Sequence, residues 1–200
     1  MNKAIAIWNE RYRTERIMDH SRQNTVVSRD MLFHIEGTEM WNALSNATTV
    51  VEIGCGTGEL ARKITLLFES IDYLALDISK IVIDFTRKSG YVGSIRFAVG
   101  TFNTIPECDL TIAQSVLEHF ADPFVPLDKM LIAAPQALIL VPYDENAINK
   151  DGVEGGLSHL TSWNEEFLSN YNIIDSKIFK TEGWNVGTNP RKWAVLIARA

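Results

Sequence analysis

Several features that mark other protein classes are scarce in this sequence. Its 200 residues include only two cysteines, Cys55 and Cys108, which is typical of reduced thiols and not of a disulfide framework, so we expect a cytoplasmic protein. No apolar run approaches the roughly 18 residues that a membrane span needs, and no signal-peptide pattern follows Met1. These absences disfavour a secreted disulfide-rich domain and predict a chain without a membrane partner.

Dense positive charge and metal-ligand spacing are missing as well. The formal net charge is −6, and the arginines at 11, 13 and 16 are few and mixed with acids, so binding to nucleic acid is disfavoured. The four histidines, at positions 20, 34, 119 and 159, show no metal-ligand spacing, and no metal site is predicted. At this length we expect one domain that can bury a substantial core.

The most informative segment is residues 50–60, in which a short apolar run leads into glycines at every second position. Gly54, Gly56 and Gly58 precede a helix-forming run, and Cys55 lies inside the turn. A strand that turns sharply into a helix with a ligand against it needs residues without a Cβ there. The free N–H groups at the start of the helix favour an anionic or carboxylate-bearing ligand. The segment therefore predicts a nucleotide-type site.

The spacing of the glycines distinguishes between nucleotides. A dinucleotide-binding turn has the pattern G-x-G-x-x-G, but the place of its third glycine is held here by Glu59. A carboxylate at that position would repel a pyrophosphate, which argues against an NAD-dependent oxidoreductase. Glu52, which precedes the first glycine, is suited to an ammonium group. We therefore expect an uncharged or zwitterionic nucleoside as the ligand.

At these residues the chain resembles the class I, Rossmann-like S-adenosylmethionine (SAM)-dependent methyltransferases, whose first motif reads much like Glu-x-Gly-x-Gly-x-Gly. The resemblance implies SAM as the cofactor. A second apolar strand ends at Asp77, about 20 residues after the glycines, where an acid accepts hydrogen bonds from ribose hydroxyls in nucleotide-binding folds. Alternatively, Asp77 is the N-cap of a helix over about residues 79–89, since Asp is a good cap. In the ribose interpretation, Ile78 lies under the adenine.

The ends of the next two predicted strands supply further candidates for SAM binding. The third strand leads to Thr101, where the family usually has an acid for the adenine amino group, and then to Phe102, which either packs on the base or belongs to the core. The fourth strand is followed by Gln114 and Ser115. Because ligands of open α/β sheets bind outside the carboxyl ends of the strands, we expect these two residues to line the methionine end of SAM.

Residues 114–119 resemble a family motif that ends in Val-Leu-Glu-His, which places Glu118 and His119 near the entry of the methyl acceptor. His159, in a His-Leu pair before a predicted helix, resembles a residue of the family's acceptor pocket. A neutral hydroxyl acceptor gains from a general base, and histidine is best matched to neutral pH. We predict His159 as the base, with His119 second and Tyr143 third. His119 is equally well explained as a hydrogen-bonded structural residue.

The sequence does not choose the methyl acceptor. A carboxylate acceptor would need donors such as Arg11, Arg13 or Tyr12 to orient it, and an amine would favour Glu118 and Trp163. We predict methyl transfer from SAM to a small molecule, at oxygen. The alternative is a catalytically silent SAM-binding protein that regulates or stabilises a partner. The oligomeric state stays open.

Strands and helices alternate over residues 48–200, which predicts an α/β protein with a doubly wound sheet. The resemblance sharpens this to a seven-stranded, mostly parallel sheet with an antiparallel C-terminal strand and helices on both faces. This part is predicted to be the SAM-binding methyltransferase domain. Residues 1–47 are predicted to form an N-terminal helical extension, with helices over about 4–17 and 28–44, that either caps the cofactor or packs at the edge of the sheet.

Overall fold

Strands and helices alternate along the chain after an N-terminal group of helices. The computed structural model describes residues 2–13, 16–89, 94–144, 156, 158–181 and 191–199. The strands in these ranges are β1 (Thr49–Ile53), β2 (Asp72–Asp77), β3 (Ile95–Val99), β4 (Leu110–Gln114), β5 (Gln136–Pro142), β6 (Asn172–Lys180) and β7 (Arg191–Ala198). The α-helices are α1 (Asn2–Arg13), α2 (Arg16–Ile35), α3 (Glu39–Asn46), α4 (Glu59–Leu67), α5 (Lys80–Lys88) and α6 (Phe124–Ala133). Among the described helices, none has the length and apolar character needed to cross a membrane.

The seven strands form one sheet in the order β3-β2-β1-β4-β5-β7-β6. The strands β1 to β5 pair in parallel, and β7 pairs antiparallel with both β5 and β6. The predicted seven-stranded, mostly parallel sheet with an antiparallel C-terminal strand is therefore confirmed. The strand order reverses between β1 and β4, so the carboxyl ends of these two strands flank the crevice in which open α/β sheets bind their ligands.

Two hydrophobic clusters cover the two faces of the sheet, because successive side chains of a strand point to opposite faces. Val50 and Leu138 belong to the cluster that also holds side chains of α2, α3, α4 and α5. Val51 and Ile139, their neighbours in sequence, belong to the cluster that holds side chains of α6. Helices therefore lie on both faces, as predicted.

The N-terminal helices differ from the prediction in their bounds. The prediction of helices over 4–17 and 28–44 is wrong at the centre, because α2 runs unbroken through residues 18–27. This stretch has few apolar residues, but two of its polar side chains bind α4: the hydroxyls of Ser21 and Thr25 donate hydrogen bonds to Glu59. Other side chains of α2 share a hydrophobic cluster with the sheet. The division into an extension and a SAM-binding domain at residue 47 stays a prediction.

Candidate functional site

The glycine-rich turn connects β1 to α4 at the carboxyl edge of the sheet. Gly54, Gly56 and Gly58 have φ values of +76°, +52° and +77°, in the left-handed region that glycine adopts without a steric penalty. A Cβ on Gly54 would lie 2.3 Å from a methyl carbon of Val116, and a Cβ on Gly58 would lie 2.7 Å from the ring of Phe97. Steric contacts within the protein therefore require glycine at positions 54 and 58, whether or not a ligand is bound.

Asp77 lies at the end of β2 and joins two turns. Its Oδ2 accepts a hydrogen bond from the N–H of Gly56 at 2.9 Å, and its Oδ1 accepts one from the N–H of Ser79 at 2.8 Å. Burial raises the pKa of Asp77 to about 6, although these two hydrogen bonds lower it. The N-cap of α5 is Ser79, whose hydroxyl accepts from the N–H of Val82. Each Asp77 oxygen keeps a second lone pair that can accept a hydrogen bond from a ribose hydroxyl.

Glu52, the acid that precedes the glycines, is buried with a partner from the protein. Its side chain is only 2% exposed, and its Oε2 accepts a hydrogen bond from the hydroxyl of Tyr73 at 3.0 Å. Burial is the main cause that raises the pKa of Glu52 to about 8, and the nearby charge of Asp77 adds to the rise. Glu52 is therefore mostly protonated at neutral pH. Its predicted contact with an ammonium group, which needs a carboxylate, stays a prediction.

The helix α1 contacts the glycine turn and the start of α5, which no motif in the sequence indicates. The hydroxyl of Ser79 donates a hydrogen bond to Oδ1 of Asn9 at 2.7 Å. The hydroxyl of Tyr12 lies 3.3 Å from the position that a Cβ on Gly56 would occupy. Burial, together with the charge of Asp77, raises the pKa of the Tyr12 hydroxyl, which therefore stays protonated beside the turn.

The candidates after β3 also have structural partners. The Oγ1 of Thr101 accepts a hydrogen bond from the N–H of Asn103 at 3.3 Å and caps the short 3-10 turn Phe102–Thr104. The ring of Phe102 meets the ring of Phe120 edge-on, with 5.6 Å between the ring centroids. Both residues therefore contribute to packing and capping, and their contacts with adenine stay predictions.

Gln114 is the last residue of β4 and Ser115 follows it, next to the glycine turn. The Oε1 of Gln114 accepts a hydrogen bond from the hydroxyl of Ser28 in α2 at 3.1 Å. Ser115 has a φ of +55°, which is uncommon for a residue with a side chain, and its Oγ lies 3.4 Å from Nζ of the buried Lys192. Strained backbone of this kind is often concentrated at binding sites.

Cys55 and Ile78 complete the predicted cofactor residues. Cys55 is buried beside Tyr12 in the hydrophobic cluster, and burial raises the pKa of its thiol, so the thiol stays protonated. Ile78 is half-buried directly after Asp77. Neither residue has a contact that distinguishes cofactor binding from packing, and both assignments stay predictions.

The residues around the turn fit SAM better than a dinucleotide. The Oγ1 of Thr57 is buried and has no hydrogen-bond partner among the described residues, and a ligand on the turn can supply one. Glu59, at the start of α4, accepts hydrogen bonds from Ser21 at 2.5 Å and Thr25 at 3.2 Å and pairs with Arg62. Its carboxylate is thus fixed where a pyrophosphate would need donors, as the sequence indicates.

Glu118, His119 and His159 come together shortly after the end of β4. The N–H groups of Leu160 and Thr161 point to the carbonyl oxygen of Glu118 at 2.7 Å and 3.4 Å, which holds the two segments side by side. The ring centroids of His119 and His159 lie 5.0 Å apart, and one ligand atom of each of the three residues lies within 4.8 Å of the others. The spacing of the histidines does not indicate this cluster, but the family resemblance does, since it places all three residues near the methyl acceptor.

The protonation state of His119 follows from its partner. Its Nδ1 lies 3.0 Å from the carbonyl oxygen of Ser158. Because a carbonyl oxygen only accepts, Nδ1 must carry the proton, and in the neutral ring Nε2 carries the lone pair. Burial lowers the pKa of His119, and the charge of Glu118 opposes this effect. His119 is therefore a neutral imidazole near pH 7, with Nε2 as its acceptor atom.

The third candidate base, Tyr143, already donates its hydroxyl proton in a hydrogen bond. Its hydroxyl donates to the carboxylate of Glu165, with oxygen separations of 3.0 and 2.9 Å, and this hydrogen bond raises the pKa of the hydroxyl. The guanidinium of Arg191 lies 4.8 Å from the centre of its ring. A phenol that already donates to a carboxylate is a poor general base, so the histidines are better placed for that role.

The ring of Trp8 in α1 joins the two parts of the site. It stacks on Tyr12 beside the glycine turn, with 5.8 Å between centroids, and meets His119 edge-on at 5.7 Å. The N-terminal helix thus extends from the predicted cofactor turn to the Glu118–His119–His159 cluster.

Solved structures share this fold at low sequence identity. A chain of the complex between the Haloferax volcanii Trm112 methyltransferase activator and a methyltransferase matches with a TM-score of 0.61 and 16% identity, covering 87% of this chain and 93% of that one. Human N-acetylserotonin methyltransferase in complex with SAM matches with a TM-score of 0.58 and 17% identity over 97% of this chain and 59% of that one. The mitomycin 7-O-methyltransferase MmcR matches with a TM-score of 0.58 and 19% identity over 91% of this chain and 60% of that one. This chain therefore spans about three-fifths of the length of the last two proteins, and these identities show the fold alone.

The comparison with protein families is more specific. No curated protein sequence matches this chain, but residues 3–137 match the O-methyltransferase domain family. This match covers more than half of the chain and includes the glycine turn, Asp77 and the Glu118–His119 motif. It confirms the methyltransferase resemblance of these residues and, with it, SAM as the cofactor. The chain belongs to the O-methyltransferase domain family.

Proposed function

We propose that the protein transfers the methyl group of SAM to a hydroxyl oxygen of a small molecule. The observation that supports this most strongly is the pair of His119 and His159, whose ring centroids lie 5.0 Å apart shortly after the end of β4. A neutral hydroxyl must lose its proton when it is methylated, and a general base accelerates that step. Two neighbouring imidazoles suit this acceptor better than a carboxylate, which has no proton to lose.

The cofactor residues are assigned by their place at the carboxyl edge of the sheet. Asp77, held by the N–H groups of Gly56 and Ser79, is assigned to the ribose hydroxyls. The adenine is assigned to Ile78, Thr101 and Phe102. The residues that would bind SAM at the glycine turn and at its methionine end are Glu52, Gly54, Cys55, Gly56, Gly58, Gln114 and Ser115.

SAM supplies an electrophilic methyl group on a cationic sulfur. The contribution of the chain is mainly positioning, because a held near-attack geometry replaces a bimolecular encounter. His159 accepts the hydroxyl proton while the acceptor oxygen bonds to the methyl carbon and the C–S electron pair stays on sulfur. His119 is the second candidate, because burial lowers its pKa and makes it the weaker base.

A small acceptor is supported by the charge of the chain and by its structural neighbours. The net charge of −6 opposes binding to nucleic acid. Two neighbours, N-acetylserotonin methyltransferase and mitomycin 7-O-methyltransferase, are named after small-molecule acceptors. Since one fold serves many acceptors, the neighbours support the size class of the acceptor and not its identity.

A second candidate function is SAM binding without turnover, in a protein that regulates a partner. Thr101 favours it, because a hydroxyl engaged in a turn cap stands where the family usually has an acid for adenine. One structural neighbour comes from a complex with an activator protein. Both candidates share cofactor binding, so only turnover separates them.

Turnover with methyl-labelled SAM and a panel of phenols, alcohols, carboxylic acids and amines tests the proposal. We expect label on a hydroxyl compound, and we expect His159→Ala to slow turnover about 10²–10⁴-fold if His159 is the base, with unchanged cofactor affinity. His34→Ala is the matched control, because His34 stacks on Phe179 outside the cluster and should keep full activity. If His159→Ala changed only KM, His159 would be a residue that lines the acceptor pocket and not the base. Transfer to no acceptor, despite bound cofactor, would favour the silent protein.

A further inference from the structure

The cluster of Glu118, His119 and His159 contains more donors than a general base requires. One imidazole is enough to take a proton, but the structure gathers two imidazoles and a carboxylate with ligand atoms within 4.8 Å of one another. Glu118 and His119 are buried, and His159 is half-buried. Three convergent nitrogen and oxygen donors in a protected place are the arrangement that a metal ion needs.

Glu118 shows independently that a partner belongs here. Its side chain is 0% exposed, and neither carboxylate oxygen has a hydrogen-bond partner among the described residues. Buried carboxylates are normally hydrogen-bonded, paired with a charge or bound to a metal. Thr161, whose N–H lies 3.4 Å from the Glu118 carbonyl oxygen, has a buried hydroxyl that also lacks a partner within the same ranges. Both side chains therefore have buried oxygen atoms without a hydrogen-bond partner among the described residues, which a ligand can supply.

His119 is already arranged as a ligand. Its Nδ1–H donates to the carbonyl oxygen of Ser158 at 3.0 Å, so Nε2 carries the lone pair that a metal ion needs. Metal-ligating histidines nearly always donate their other N–H to a carbonyl or carboxylate, which fixes the tautomer and the orientation of the ring. The backbone contacts between Leu160 and Glu118 then hold His159 against this ring.

We propose that Glu118, His119 and His159 together bind one divalent transition-metal ion, with Zn²⁺ as the preferred ion. Zinc sites with three protein ligands, including sets of two histidines and one glutamate, keep a further position open for water or substrate. Two imidazole nitrogens disfavour Mg²⁺ and Ca²⁺, which prefer oxygen ligands. The open position would take an oxygen of the acceptor.

The role of the ion, though not its binding, rests on the proposed function. A bound Zn²⁺ lowers the pKa of a coordinated hydroxyl, so the acceptor would bind as an alkoxide and release its proton to water before methyl transfer. Methyl transfer would then form a bond between the acceptor oxygen and the methyl carbon, and the C–S electron pair would stay on sulfur. In the metal-bound protein His159 would be a ligand, and the coordinated ion would take over its part in removing the hydroxyl proton; His159 acts as the base in the metal-free protein.

Lys192 is the charge that opposes an ion at this place. It is buried, and its positive charge contributes to the lowered pKa of His119. The same charge repels a cation, so we expect weaker binding than at a structural zinc site.

Calorimetric titration of the untagged, chelator-treated protein with ZnCl₂ tests the proposal. We expect one Zn²⁺ per chain and no comparable binding of MgCl₂. Glu118→Gln keeps the shape of the side chain, and it and His159→Ala should each weaken Zn²⁺ binding at least about 10-fold, the loss produced by removing even an outer partner of a ligand. His34→Ala, which removes a histidine outside the cluster, should bind Zn²⁺ as the wild type does.

Two results would overturn the metal site: no Zn²⁺ binding by folded wild-type protein, or binding that both cluster variants leave unchanged. If Glu118→Gln does not fold, the half-buried His159→Ala decides alone. Titration of the same samples with S-adenosylhomocysteine (SAH), followed by a turnover assay, separates this inference from the proposed function. SAH binding and turnover without Zn²⁺ binding would contradict the metal site and support the proposed function. Zn²⁺ binding without turnover would support the metal site and contradict the proposed function.

Discussion

At the scale of single residues, the two acids predicted to bind the cofactor differ in their surroundings, although each lies near the carboxyl end of a strand. Asp77 accepts hydrogen bonds from two backbone N–H groups, and its pKa of about 6 keeps most of its charge at neutral pH. Glu52, with a pKa of about 8 and a hydrogen bond from Tyr73, keeps its proton. Asp77 is therefore suited to ribose as a charged acceptor, and Glu52 acts as a neutral hydrogen-bonding group.

The burial of Glu52 predicts a pH dependence of stability. Its pKa rises from 4.5 to about 8, so between these values the folded protein holds a proton that the unfolded chain has released. The free energy of unfolding should therefore fall as the pH rises from about 5 to about 8. Glu52→Gln cannot titrate but can still accept the Tyr73 hydrogen bond, and it should lose less stability over this range.

Urea unfolding at several pH values measures this effect. Glu69→Gln, which changes an exposed glutamate, is the matched control and should follow the wild-type slope. The same slope in wild type and Glu52→Gln would mean that Glu52 ionises normally in the folded protein.

At the scale of elements, the glycine turn is fitted to two neighbours that are distant in sequence. Gly54 packs against Val116 after β4, and Gly58 packs against Phe97 of β3. The glycine spacing alone predicts the turn and its ligand class, because both follow from local backbone geometry. The packing partners depend on the strand order, which the motif does not contain.

Gly37 and Gly54 offer a matched pair for testing this packing. Their φ values are +75° and +76°, but a Cβ on Gly37 would meet nothing within 4 Å. Gly37→Ala should therefore lower the free energy of unfolding only by the left-handed backbone term, about 1–2 kcal/mol. Gly54→Ala should lose more, because its Cβ would overlap Val116.

Urea unfolding of both variants, with Val116→Ala in each of the wild-type and Gly54→Ala backgrounds, isolates the contact. Shortening Val116 should reduce the loss caused by Gly54→Ala to about that of Gly37→Ala. Equal losses in the two single glycine variants would contradict the contact between Gly54 and Val116.

The remaining elements show where sequence patterns succeed and fail. The antiparallel C-terminal strand that the resemblance implies is β7, which pairs with β5 and β6. The helix predicted after the His159–Leu160 pair is only the 3-10 turn Glu166–Leu168, because Trp163 is buried and bridges to Tyr143. A local sequence pattern does not reveal such a tertiary contact.

At the scale of the whole molecule, the site is assembled from three parts of the chain. The glycine turn and Asp77 were predictable, because motif spacing and the carboxyl ends of parallel strands determine them. For Trp8 and Tyr12 the sequence left two alternatives, a cap over the cofactor or packing at the edge of the sheet, since helical periodicity does not say which element a helix packs against. The cluster of Glu118 with His159 likewise depends on backbone hydrogen bonds from residues 160 and 161.

Calorimetric titration of wild type and Asp77→Ala with SAH, with NADH as the control ligand, tests SAM binding at the glycine turn most directly. We expect micromolar SAH binding by the wild type and no binding of NADH. Asp77→Ala should weaken SAH binding by about 1–3 kcal/mol, because it removes a charged acceptor from the ribose. No SAH binding by folded wild-type protein, or binding of NADH in its place, would contradict a SAM-dependent methyltransferase.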